Sequence, residues 1–124
     1  MKISDIIKDL QSIKLLEFQR TTNAFNFVFR KDLKENETII VKMPPVSANK
    51  RGINDIGWIC DQSELDEHGN PKIRLYGTLA ENPRDGEALV QEIRVNDEVN
   101  KTTSAIIVKN LGRACRIEMR AIFN

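Results

Sequence analysis

The last stretch of the chain constrains the fold more than any other. From Cys115 to Phe123 the residues Cys115, Ile117, Met119, Ala121 and Phe123 alternate with Arg116, Glu118 and Arg120. Side chains on a β-strand point to opposite faces in turn, so this pattern describes one strand with an apolar face and a charged face. A one-residue slip would bury every arginine, so the register is strongly specified. Similar alternation recurs upstream. Leu16 and Phe18 alternate with Glu17 and Gln19, and Phe25, Phe27 and Phe29 with Asn26, Val28 and Arg30. Ile56, Trp58 and Cys60 form another set, as do Ile73, Leu75, Gly77 and Leu79, and then Leu89, Gln91, Ile93 and Val95. The segment Thr38-Ile39-Ile40-Val41-Lys42-Met43 is rich in β-branched residues and ends at Pro44-Pro45, which cannot continue a ladder.

Turn chemistry punctuates these runs. Asp66-Glu67-His68-Gly69-Asn70-Pro71 and Asn82-Pro83-Arg84-Asp85-Gly86 combine residues that tolerate positive φ with residues that fix it. Thr21–Ala24 reads as a hairpin turn, Ile56–Leu79 as a hairpin, and 102–123 as a last hairpin turning around Asn110–Arg113. Only the start of the chain has another period. Ile3, Ile6, Ile7, Leu10 and Ile13 recur every three or four residues, which predicts a helix over Ser4–Lys14 with Ser4 as its N-cap. The predicted fold class is therefore α+β, mostly β: an N-terminal helix packed on an antiparallel sheet or partly open barrel of about seven strands. With 124 residues and no linker composition, the chain reads as a single domain, 1–124.

Charge is segregated along the chain. Residues 1–50 carry nine basic and six acidic side chains, residues 51–100 five and eleven, and residues 101–124 five and one, for a net charge of +1. Opposite-signed segments suit steered association with a charged macromolecule. The acidic stretch offers Asp61, Glu64, Asp66 and Glu67 as contacts for a basic protein such as a toxin. The loop after Pro44-Pro45 is long and aperiodic, and Lys50 and Arg51 at its tip complete this candidate partner-binding set. The arginines Arg94, Arg113, Arg116 and Arg120 form an alternative, nucleic-acid-binding set. Aromatic stacking would add to it, yet a Phe row at i, i+2, i+4 is first of all a core-facing row. An electrically balanced chain with a pI near 7.8 argues against a dedicated nucleic-acid module.

Catalytic chemistry has little to build on. His68 is the sole histidine and sits in a turn, a poor place to hold an imidazole rigidly. Glu92 and Glu118 are the strand carboxylates to consider, and each has arginine neighbours on its own face. Phosphate-cradling glycine motifs are absent, so no cofactor is expected. Two cysteines and one histidine, scattered in sequence, do not supply the paired spacing of a zinc site, and no metal is expected. Cys60 and Cys115 lie in apolar-alternating stretches and read as buried thiols, with a single bridge between them as the alternative. The charged N-terminus cannot be the apolar core of a signal peptide and no run is long enough to span a membrane, so the expected location is the cytoplasm. The sequence thus describes a non-enzymatic protein-binding module of inhibitor, immunity or accessory type, with a homodimer built through the last strand as a further partner arrangement.

Overall fold

A computed structural model of the chain describes residues 1–22, 26–44, 55–61, 64–94, 99 and 103–122. Among these residues there are nine strands: β1 (Lys14–Glu17), β2 (Gln19–Arg20), β3 (Asn26–Leu33), β4 (Thr38–Lys42), β5 (Asp55–Cys60), β6 (Ile73–Thr78), β7 (Val90–Ile93), β8 (Ala105–Asn110) and β9 (Cys115–Ile122). They form two open sheets, ordered β1-β4-β8-β6-β7 and β2-β3-β9-β5. Every pairing is antiparallel except β1 with β4, which is parallel.

The predicted barrel is therefore a pair of sheets, and the physical reason lies in how the chain moves between them. Phe27, Phe29, Ile56, Trp58, Cys115, Ile117, Met119 and Ala121 from one sheet pack with Ile39, Val41, Ile73, Leu75, Ile106 and Val108 from the other. Each sheet thus supplies one apolar face to a shared core. Two predicted hairpins do not form. β5 pairs with β9 while β6 pairs with β7 and β8, and β8 and β9 likewise lie in different sheets. These connections arch across the core instead of folding back within a sheet. The stretch Leu16–Gln19 also divides, with β1 beside β4 and β2 beside β3, the chain changing sheets at Phe18. In β7 the strict alternation gives way: Val90 and Ile93 are buried, Gln91 and Glu92 exposed.

The predicted N-terminal helix shrinks to one short turn, α1 (Ile3–Ile6), followed by a 3-10 turn at Leu10–Ser12. Ser4 is not a cap, since the helix starts at Ile3 and the Ser4 N–H donates to the carbonyl of Gly86. Asp5 closes the first turn by accepting the Lys2 N–H at 2.7 Å. Helices this short are marginal in isolation. Here the backbone is drawn into the sheet: the Ile3 N–H bonds the Ala88 carbonyl at 2.8 Å, and the Val90 N–H bonds that of Met1 at 2.8 Å. The apolar stripe nonetheless does its expected job. Ile3 and Ile7 are buried against Ile40, Val90, Ala105 and Ile107, with Ile6, Leu10 and Ile13 at the margin, covering the outer face of the five-stranded sheet.

The turns follow their chemistry. Asp66 Oδ1 accepts the N–H groups of His68 and Asn70, and Gly69 takes φ of +79°. Asn110, fully buried, ties two turns together. Its amide donates to the carbonyls of Lys34 and Arg113, both at 2.9 Å, and its oxygen accepts the Gly112 N–H at 3.1 Å. No helix among the described residues is long and apolar enough to cross a membrane.

Candidate functional site

The two sheets have different outer faces. That of the five-stranded sheet lies under the N-terminal segment, whereas that of the four-stranded sheet is turned to solvent with the charged half of the β9 alternation at its centre. Register builds the surface row by row. Arg30 on β3 lies opposite Glu118 on β9, which lies opposite Ile59 on β5. In neighbouring rows Val28, Arg120 and Gly57 align, and Asp32 faces Arg116.

The charges on this face are matched. Glu118 accepts from Arg30 Nε on one oxygen and from Arg120 Nε, at 3.2 Å, on the other. Those two guanidinium hydrogen bonds, Arg30's first, hold its carboxyl below the usual glutamate range. Arg116 Nε stands 4.0 Å from Asp32, and the Arg116 backbone N–H donates to Asp61 Oδ1 at 2.6 Å. Arg30 and Arg120 thus meet Glu118, Arg116 meets Asp32 through its side chain, and Asp61 meets Arg116 through the backbone N–H, so three cations stand beside three carboxylates. In its midst Ile59 is 68% exposed. Gly57 beside it leaves open space where a side chain would stand. A shallow depression of about 320 Å³ runs between Arg30, Ile59, Cys60, Asp61, Arg116 and Glu118.

The arginines singled out from sequence do not form one patch. Arg116 and Arg120 share this face. Arg113 lies in the β8–β9 turn, its N–H donating to Glu64 at 3.0 Å. Arg94 follows β7 in the other sheet, lining a cleft of about 440 Å³ with Trp58, His68, Arg74 and Glu92. The acidic set is committed largely to its own loop. Glu64 accepts from Lys72 Nζ at 2.9 Å, and that bond together with the Arg113 N–H lowers its pKa. Asp66 is held low first by the Asn70 N–H, then by His68 and Arg74. Glu67 projects into solvent, with His68 Nε2 at 3.5 Å, and Asp61 is exposed as well. Lys50 and Arg51, the proposed loop tip, lie outside the described residues. So does Phe25, while Phe27 and Phe29 belong to the core rather than to a stacking platform.

Self-pairing through the last strand is ruled out by position. β9 is hydrogen-bonded to β3 on one side and β5 on the other, so it has no edge to offer. The residues missed from sequence are Arg30 and Ile59. Both sit on the polar side of their alternation, but their approach to Glu118 depends on pairings between strands far apart in the chain. The pairing of β5 with β9 also brings Cys60 Sγ to 3.5 Å from Cys115 Sγ, with Asp61 adjacent, so residues scattered in sequence are not scattered in space. Both cysteines are thiols. Comparison with protein-family models, with curated proteins and with solved structures finds no match.

Proposed function

We propose that the protein is a non-catalytic binding module that recognises another protein through the outer face of its four-stranded sheet. The observation that carries this reading is the ion-paired Arg30–Glu118–Arg120 ladder beside the exposed Ile59. Apolar anchors surrounded by polar groups are the anatomy of a protein–protein contact, and arginine is favoured at such centres. The matching partner presents an apolar side chain or pocket to Ile59 and both donors and carboxylates around it. A polyphosphate strand suits the face less well. Phosphates gain affinity by meeting uncompensated cations, and here they would have to displace Glu118 from two guanidiniums. The same pairing keeps Glu118 ionised and engaged, which ill suits a general acid.

The test compares capture of protein partners from the native cell by the wild-type chain and by Ile59→Glu, with nuclease present throughout. A protein retained by the first and lost by the second supports the reading. Recovery that is indifferent to Ile59, or that disappears with nuclease alone, refutes it and, in the latter case, favours nucleic acid.

A further inference from the structure

We propose that Cys60, Cys115 and Asp61 form a binding site for a thiophilic divalent cation of the zinc class, with its fourth position open to water.

Three features of the geometry support this site. First, the ligand atoms converge. Cys60 lies opposite Ile117, two residues beyond Cys115, so the two cysteines are diagonal neighbours on one face of the β5–β9 pair. Their sulfurs are 3.5 Å apart, and the two sulfurs and an Asp61 carboxylate oxygen all lie within 4.8 Å of one another. A tetrahedral ion with metal–sulfur bonds of about 2.3 Å holds two sulfurs roughly 3.8 Å apart, close to this spacing. Second, the carboxylate is oriented from behind. Asp61 Oδ1 accepts the Arg116 N–H at 2.6 Å, and the Asp61 N–H donates to the Arg116 carbonyl at 3.3 Å. Hydrogen bonds of this kind fix ligands in metal sites. Third, the cluster lies at the margin of the core: Asp61 is exposed and Cys60 half-buried, and both border the depression of about 320 Å³.

Binding forms two metal–sulfur bonds and breaks two S–H bonds, and both protons leave to solvent, so affinity rises with pH. Two sulfurs select zinc, cadmium or cobalt over the oxygen-seeking magnesium and calcium. This revises the reading from residue spacing, which gave no metal.

The experiment is a cobalt(II) titration of the full, reduced, chelator-treated chain. The expected result is one equivalent bound, with a thiolate-to-cobalt charge-transfer band and tetrahedral visible bands, both abolished by zinc and untouched by magnesium. Cys60→Ser and Cys115→Ser each remove the charge-transfer signature of the pair. Asp61 is exposed, so Asp61→Asn keeps the fold. It retains the sulfur band but weakens cobalt at least ~10-fold, the lower end for losing a group that shapes a metal site. Zinc also protects both thiols from glutathione disulfide. Absence of a thiolate band, an affinity unchanged in Asp61→Asn, or Cys60–Cys115 disulfide formation at an undiminished rate with zinc present would each overturn the assignment.

Discussion

Replacing Ile3 by alanine tests whether the N-terminal segment is a true layer of the fold. Ile3 is 0% exposed and packs with Ile40, Val90, Ala105 and Ile107. The substitution removes three carbons, and at about 0.8 kcal/mol per buried methylene the transfer loss is about 2.4 kcal/mol. The void left between the segment and the sheet adds to this, because the Ile3 N–H bond to Ala88 keeps the backbone in place and limits collapse. The expected total is about 3–4 kcal/mol, within the usual range for isoleucine-to-alanine changes in a core. With a urea m-value of about 2 kcal/mol/M for a domain of this size, the midpoint falls by about 1.5–2 M. Urea denaturation followed by circular dichroism reads this directly. Leu89→Ala serves as the control, since Leu89 is 70% exposed and should stay within about 0.5 kcal/mol of wild type. A midpoint shift for Ile3→Ala no larger than the control's would refute the claim that this segment seals the five-stranded sheet.

Other consequences follow from single groups. Asn110→Ala removes three hydrogen bonds inside a buried site and should cost about 2–4 kcal/mol, again measured by urea denaturation; a loss below about 1 kcal/mol would mean that the two turns hold without it. Glu64, Asp66 and Glu118 have lowered pKa values in the folded state, so below about pH 5 the unfolded chain binds more protons. Their contribution is complete above that pH and is lost as pH falls through the lowered values. Unfolding measured at successive acid pH values should therefore show a slope that flattens in Glu118→Gln. Without metal, iodoacetamide near pH 8 should label half-buried Cys60 well before Cys115, whose buried thiol ionises only at about 12; peptide mapping that finds Cys115 labelled first contradicts this.

How much of this was legible in the sequence depends on whether a property is local. The two faces of β9 are readable from Cys115 to Ala121, Phe123 lying outside the described residues, because alternation is a property of one strand. Cys115, Ile117, Met119 and Ala121 are buried, and Arg116 and Arg120 exposed, as the pattern requires. The 66–71 turn was readable for the same reason. Pairing was not. A strand facing a shared core shows the same alternation whether its sequence neighbour lies beside it or in the opposite sheet, so the arches from β5 to β6 and from β8 to β9 look like hairpins. The N-terminal stripe was read correctly as a surface seeking a sheet, but a spacing of three and four residues is also met by two short turns joined by extended chain. At the site, the sequence supplied Arg116, Glu118 and Arg120. Arg30 and Ile59 joined them only through pairing across 88 and 59 residues of chain. Of the acidic residues read as a contact surface, Asp61 and Glu67 are exposed, whereas Glu64 accepts a backbone N–H from the β8–β9 turn and Asp66 two from its own turn.

The outer face of the four-stranded sheet is the proposed binding surface. The most direct measurement is calorimetric affinity of the captured partner for wild type, for Ile59→Glu, and for Leu89→Glu beside the opposite sheet. Burying a glutamate where an apolar anchor belongs should cost about 2 kcal/mol or more, a loss of roughly 30-fold, while Leu89→Glu binds as wild type does. Equal affinity for wild type and Ile59→Glu, or a larger loss in Leu89→Glu, would place the binding surface elsewhere and contradict the account.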